Sequence, residues 1–277
     1  MDQPAQIQKA LPFLRWAGGK TWLIKHISEF IPKKFNCYHE PFLGGASIFF
    51  HLMPPKAYLS DLNLELINTY KQIKENVELV INELKRFENT EECYYKTRET
   101  IYQNEVEKAA RFIYLNQTSY NGIYRVNLNG KYNVPFGYRK KNFFNPENLR
   151  NASIALSKVT LYHADFKNTI KHIKKNDLVF LDPPYTVTHN NNGFIKYNKK
   201  LFDINEQIAL SKYIDEVKKI GAYYILTNAA HDEVEKIFTK EGDSVYEISR
   251  ASLIGGKNAN RGDYEELIIT NIISWLS

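Results

Sequence analysis

The stretch Leu178-Val179-Phe180-Leu181-Asp182-Pro183-Pro184-Tyr185 decides how the chain is read. Four apolar residues run into an acid, two prolines and a tyrosine. A short apolar run bounded by turn residues predicts a strand buried on both faces, as in a mainly parallel sheet covered by helices. Proline fixes φ and has no N–H, so the turn is stiff and its carbonyls remain acceptors. The strand thus delivers Asp182 to its C-terminal edge, where open α/β sheets bind ligands. A carboxylate and a carbonyl together suit a group with two N–H bonds, an exocyclic amine. Tyr185 offers a flat face to a planar base. In isolation the tetrapeptide is equally a structural turn with a capping aspartate.

Working outward, residues 159–163, 222–226, 245–248 and 267–272 are rich in β-branched and aromatic types and predict further strands. Residues 205–220 have helical spacing. Upstream, residues 38–42 form a short extended run and residues 57–61 a strand that ends on Asp61. Residues 21–31 (TWLIKHISEFI) have helical apolar spacing and stop at Pro32, and LNLELINTYKQIK, from Leu62, predicts another helix. Strands alternating with helices argue an α/β fold of Rossmann-like type. Residues 76–120 read as helical and more charged. A hairpin-like segment follows, with Leu128-Asn129-Gly130-Lys131 as its turn signal. The expected organisation is one α/β domain from residues 1–75 and 152–277, with residues 76–151 inserted.

The chain has 277 residues, 43% of them apolar and 25% charged, ordinary values for a globular protein. No apolar run is long enough for a membrane helix, and the N-terminus lacks a basic-then-apolar leader, so a cytoplasmic location is expected. Cys37 and Cys93 form no CxxC pair, and the seven histidines show no metal-ligand spacing, so neither a disulfide framework nor a metal site is expected. The net charge is +6 and the pI about 9.0. That excess favours an anionic partner, nucleic acid first. From Asn121 to Asn142 the chain carries Arg125, Lys131, Arg139, Lys140 and Lys141 and no acid, with tyrosines and asparagines interleaved. Such a segment is either a solvated hairpin or a loop that touches phosphates and bases.

Three further stretches bear on ligands. Glu40-Pro-Phe-Leu-Gly-Gly-Ala-Ser47 reads as strand, glycine pair, helix, and glycines let backbone approach a ligand closely. Asp61 closes the next strand, where an acid accepts hydrogen bonds from ribose hydroxyls in nucleoside-binding α/β folds. It could instead cap the helix that follows. Arg15-Trp-Ala-Gly-Gly-Lys20 puts a tryptophan, two glycines and a lysine before the helix expected at 21–31, which suggests an anion or nucleoside site at a helix N-terminus. The alternative is a capped helix with a packed Trp16. The GxxxxGK[ST] spacing of a P-loop is absent.

Taken together, these motifs resemble the Dam-type DNA adenine-N6 methyltransferases, the D12, α-ordered class with a DPPY motif. RWAGGK (15–20), EPFLGGASIF (40–49), LSDLN (59–63) and LDPPY (181–185) match in order, and SYNGIYRVNLNGKYNVPFG (119–137) is similar to the family's target-recognition hairpin. The resemblance spans nearly the whole chain. It implies a Rossmann-like sheet that uses S-adenosylmethionine, with a target-recognition insertion. Carried over by position, Trp16, Gly18, Lys20, Glu40, Phe42, Gly44, Gly45, Asp61, Asp165, Phe166 and Asp182 form the cofactor set. Asp182, Pro183, Pro184 and Tyr185 form the catalytic tetrapeptide. Arg15, Asn121, Ile123, Arg125, Asn133, Pro135, Tyr138 and Arg139 form the DNA-binding set. Arg15 stands where a related enzyme has a lysine that reads an outer guanine. The family often has Phe-Gly-Arg-Tyr where this chain has Phe136-Gly137-Tyr138-Arg139, so Tyr138 and Arg139 join the set without an assigned partner.

The resemblance implies methyl transfer to N6 of a flipped adenine in duplex DNA, within GATC. Methylation of cytosine N4 or RNA adenine, and a catalytically silent nucleic-acid-binding homologue, are the competing readings. Intact Asp182, Tyr185, Asp61 and Gly44-Gly45 weigh against the silent homologue, and the aspartate favours adenine. The expected partner is double-stranded DNA. A cognate restriction endonuclease is a functional partner if the chain serves restriction–modification, and a lone-acting enzyme would carry the same motifs.

Overall fold

The computed structural model describes residues 9–127, 130–185, 202–251 and 263–272. The chain divides into two compact units. The first holds Met1–Ile24, Leu43–Pro55 and Asp61–His163; the second holds Lys25–Phe42, Lys56–Ser60 and Ala164–Ser277. Residues 186–193, read as an individual asparagine-rich loop, and the turn residues Leu128 and Asn129 lie outside the described residues.

In the second unit a sheet runs in the order β2-β1-β4-β5-β7-β6. Here β1 is Tyr38–Glu40, β2 Ala57–Asp61, β4 Leu178–Leu181, β5 Tyr223–Ala229, β6 Ser244–Ala251 and β7 Asp263–Thr270. Strands β2, β1, β4 and β5 are parallel, with Tyr38 opposite both Ala57 and Leu178, and Leu181 opposite Leu226. Strand β7 runs antiparallel to both β5 and β6. Every residue of β4 is buried, as its unbroken apolar run predicts. Val179, Leu181, Tyr224, Leu226, Leu267 and Ile269 pack with Leu210, Tyr213, Ile214 and Val217 of α6 (Ile204–Ile220) and with Val234 and Phe238 of α7 (Asp232–Phe238). Each large side chain buried this way contributes about 1.5–3 kcal/mol. Asp203 caps α6 by accepting from the N–H groups of Asn205 and Glu206, and Gly221 ends it in the left-handed region that glycine favours. The strand order reverses between β1 and β4, so Glu40 and Asp182 flank the switch point of the sheet.

The first unit is mostly helical. It holds α1 (Ser47–Leu52), α2 (Leu64–Leu84), α3 (Glu91–Glu99), α4 (Glu105–Thr118), α5 (Pro146–Leu156) and strand β3 (Val159–His163). Leu66, Ile67, Tyr70, Ile73, Val80, Ile81 and Leu84 are spaced to give α2 one apolar face, and it packs on α4 and α5. Thr90, Asn104 and Asn145 cap α3, α4 and α5 with side-chain oxygens. Backbone geometry breaks inside α2 at Asn76, φ −137°. Residues 126 and 132 form an antiparallel bridge, and the N–H of Asn127 donates to the Lys131 carbonyl.

The helix expected over residues 21–31 is not formed. Two short 3-10 turns, Leu23–Lys25 and Ile27–Glu29, occupy the segment. They bury Leu23, Ile27 and Phe30, the residues whose spacing suggested a helix. No described helix is long and apolar enough to cross a membrane.

Candidate active site and nucleic-acid interface

In the second unit the tetrapeptide sits at the end of β4. Asp182 Oδ1 accepts a 2.8 Å hydrogen bond from the Thr227 hydroxyl on the neighbouring strand β5. Thr227 is fully buried, and its hydroxyl also lies 3.4 Å from the Leu181 carbonyl. The Tyr185 hydroxyl donates to Glu266 Oε2 at 2.9 Å, and Glu266, on β7, is itself buried. Burial, then Asp182 and Glu266, push the Tyr185 phenol well above its ordinary range, so it stays neutral. Thr227 and Glu266 carry no motif; for Thr227 alone a polar residue inside an apolar strand run was the available signal. The prolines between them complete the mount, with Pro183 buried.

At the end of β1, Glu40 is buried and its Oε2 accepts from the Tyr38 hydroxyl at 2.9 Å. Burial first, and then Glu40 and Asp182, raise the Tyr38 phenol well above its ordinary range. Tyr38 is therefore a neutral donor that fixes Glu40 beside the Asp182 edge. Phe42 packs against Phe166 at 5.3 Å and Phe202 at 5.9 Å between ring centroids. Phe166 also touches Tyr213 and belongs to the core. Asp165 accepts from the Lys167 N–H at 2.9 Å and so caps the 3-10 run Phe166–His172. Lys167 in turn pairs with Glu206 at 2.7 Å.

The first unit gathers Trp16, Gly44, Gly45 and Asp61. Asp61 accepts from the N–H of Gly44 at 3.1 Å and of Asn63 at 2.9 Å. The cap of α2 is Asn63, whose side chain accepts from Leu66 N–H, so the reading of Asp61 as a helix cap is overturned. Desolvation pushes the Asp61 carboxyl above the ordinary aspartate range, and backbone donors oppose it. The Gly44 carbonyl accepts from the Tyr70 hydroxyl at 3.0 Å, a contact no motif signalled. Trp16 lies on the glycine turn and stacks on Tyr124, 5.7 Å between centroids and 17° between planes. A Cβ at Gly44 would fall 2.7 Å from Trp16 Cδ1, at φ +46°. Gly44→Ala is expected to cost about 2 kcal/mol or more from strain and overpacking. That is a Tm lower by roughly 5 °C for a chain of this size. An unchanged Tm in calorimetry would show that the turn relaxes freely. Lys20 is buried and donates to the Gly18 carbonyl at 2.7 Å, with Gly18 at φ +78°. No α-helix follows Lys20, so the helix-terminus anion site expected there is not built, nor is Trp16 packed against a capped helix.

Most of the expected DNA-binding residues are exposed. Arg125 Nε donates to Asn133 Oδ1 at 2.9 Å and its Nη2 to the Asn133 carbonyl at 3.2 Å. The guanidinium is thereby held across the hairpin in one orientation. Asn121 is exposed at φ +54°, and Ile123 is half-buried with its carbonyl accepting from the Tyr132 hydroxyl. The Pro135 carbonyl accepts from Tyr120 N–H at 2.8 Å. Tyr138 is 67% exposed at φ +51° and meets Phe136 edge-on. Asn89 Nδ2 donates to the Arg139 carbonyl at 2.6 Å, tying the basic run to the α2–α3 connection. Arg15 lies against Gly122, and desolvation, then Arg139, lower its pKa.

A strand-end acid on a proline-stiffened turn, a glycine turn held by a second strand-end acid, and a basic hairpin in one chain match one family. Residues 16–252 fit the model of the D12 class N6 adenine-specific DNA methyltransferases. The chain belongs to that family. It is an enzyme that methylates adenine in DNA site-specifically. The sheet of parallel strands closed by an antiparallel pair is the methyltransferase's Rossmann-like scaffold. Among its relatives is the Type II methyltransferase M.MjaIII of Methanocaldococcus jannaschii, 35% identical over 93% of this chain and 98% of that one. The Type II methyltransferase M1.LlaDCHI of Lactococcus lactis subsp. cremoris is 33% identical over 94% and 95%. The DNA adenine methylase of Haemophilus influenzae is 32% identical over 84% and 82%.

Proposed function

We propose that this methyltransferase takes its methyl group from S-adenosylmethionine (AdoMet) and places it on N6 of an adenine flipped out of duplex DNA, within GATC. The observation that carries the reading is Asp182, locked by Thr227 at the end of a fully buried strand, beside a Tyr185 locked by Glu266. Each unit by itself holds residues suited to part of AdoMet. Asp61 is an acceptor suited to ribose hydroxyls, Phe42 and Phe166 are aromatic partners for a purine, and Glu40 is an acceptor for an amine. The Gly44-Gly45 turn, whose missing side chains make room for Trp16, is proposed as the cofactor turn. Trp16, Gly18, Lys20 and Asp165 complete the proposed cofactor set. When bound, AdoMet supplies an electrophilic methyl group on a positively charged sulfur.

Adenine's amine is stacked inside the duplex, so the base must leave the helix, at a cost of a few kcal/mol. Tyr185 offsets part of that by stacking, about 1–3 kcal/mol per base. Its hydroxyl bond to Glu266 holds the ring in place, so little freedom is lost when the base arrives. The N6 lone pair is delocalised into the ring and is a poor nucleophile. Asp182 and the Pro183 carbonyl accept the two N–H bonds, localise that lone pair and stabilise the positive charge that develops on nitrogen. Pro183 and Pro184 keep the acceptors in a fixed orientation, so positioning adds to the electrostatic effect.

Residues 76–151 are proposed as the target-recognition segment. Arg125, pre-oriented by Asn133, is proposed to read a guanine with two hydrogen bonds; Asn121, Ile123, Pro135, Tyr138 and Arg139 are proposed to flank it. Arg125→Ala is expected to cost about 1–3 kcal/mol of discrimination at one base pair. Equal weakening on cognate and scrambled duplexes would reduce Arg125 to a phosphate contact. The GATC assignment rests on Arg15 and the NGIYR…NVPFG pattern. Sequencing methylated bases in DNA from cells that express this enzyme alone tests it; methylation at any other site overturns it. The Type II relatives favour service in restriction–modification, with a cognate endonuclease as the functional partner.

A further inference from the structure

Asn116 lies on α4, outside every motif described above, and is completely buried. An amide there is costly unless its donors and acceptor are bonded. Its Oδ1 accepts from the Arg15 N–H at 2.8 Å, and its Nδ2 donates to the Arg15 carbonyl at 2.7 Å and to the Gly122 carbonyl at 3.4 Å. Only one orientation of the amide satisfies both the N–H and the carbonyls. One side chain therefore holds both backbone groups of Arg15 and the end of the turn Tyr120–Gly122.

The Arg15 side chain rests on the same turn. A Cβ at Gly122 would fall 2.5 Å from Arg15 Nε and 2.6 Å from its Cζ. Gly122 thus lets the guanidinium lie against backbone. Among the described residues, Arg15 Nη1 is buried and has no hydrogen-bond partner.

We propose that Asn116 is a positioning residue for DNA recognition, which fixes Arg15 and the turn Tyr120–Gly122 in one register so that the two segments read the duplex as one unit. This rests on the reading of Arg15 and the Asn121–Arg125 segment as DNA contacts. Asn116→Asp keeps the size and the acceptor but turns an oxygen toward two carbonyls, which breaks the clamp. Asn116→Ala is the neutral second variant.

The test uses the full-length enzyme and duplexes in which each base pair of the methylated site is changed singly. The readout is the ratio of kcat/KM on the original and altered duplex. That ratio cancels the folded fraction, so a loss of stability alone leaves it unmoved. Arg15→Ala is expected to lose about tenfold or more of discrimination at one outer pair. Either Asn116 variant is expected to lose it at the same pair, and the double variant no more than Arg15→Ala alone. Wild-type ratios in the Asn116 variants, or losses that multiply in the double variant, overturn the proposal and leave the reading of Arg15 standing. Unchanged discrimination in Arg15→Ala at every pair overturns that reading, and the coupling with it.

Discussion

Asp182→Ala is expected to reduce methyl transfer by on the order of 10³-fold or more, since it removes the acceptor proposed to face the charge that develops in the transition state. The fold should survive. The Thr227 hydroxyl loses its 2.8 Å acceptor but keeps the Leu181 carbonyl at 3.4 Å. A stability cost of about 1 kcal/mol follows. Incorporation of labelled methyl groups into duplex DNA measures the first effect and calorimetry the second. Asp182→Asn separates charge from shape, because it keeps one oxygen for Thr227 while it cannot balance a positive nitrogen. A folded Asp182→Ala enzyme with normal turnover would sink the mechanism.

Asp61→Ala is expected to weaken AdoMet binding by about 100-fold, the loss of two hydrogen bonds to a charged acceptor at about 1.5 kcal/mol each. The alanine also leaves the N–H of Gly44 and Asn63 without their acceptor, so the glycine turn loosens. Titration calorimetry with AdoMet on the free enzyme reads the effect; an unchanged affinity removes Asp61 from the ribose role. A pH dependence accompanies it. In the proposed ribose role the ionised carboxylate is the accepting form, and desolvation raises its pKa. Affinity should therefore fall on acidification, starting at a higher pH than a solvated aspartate would impose. Stability runs the other way. A raised pKa means the folded state binds the proton more tightly than the unfolded chain. This group therefore stabilises most below its unfolded value, and that contribution is lost as pH rises through the folded value.

Much of the scaffold was legible because its signals are local. The apolar run 178–181, bounded by turn residues, reads as a strand buried on both faces, and every residue of it is buried. Periodicity reports which side chains are buried, however, and not which backbone bonds form. Leu23, Ile27 and Phe30, apolar residues of the segment expected to be helical, are buried on or beside 3-10 turns. At Asp61 the sequence leaves a ribose acceptor and a helix cap open, and the structure gives the cap to Asn63, two residues on. The Gly44 N–H, seventeen residues earlier in the chain, engages the aspartate and leaves the cap to the asparagine.

The sequence by itself determined the α/β class, the strand that mounts Asp182-Pro-Pro-Tyr185, the glycine turn and the basic hairpin, because burial patterns and backbone-restricted residues act over a few neighbours. Tertiary structure decided what holds each functional group still. Thr227 on Asp182, Glu266 on Tyr185, Tyr70 on Gly44 and Asn116 on Arg15 all come from distant positions in the chain. A buried polar side chain must find its partner wherever folding brings one, and no spacing in the sequence encodes that meeting.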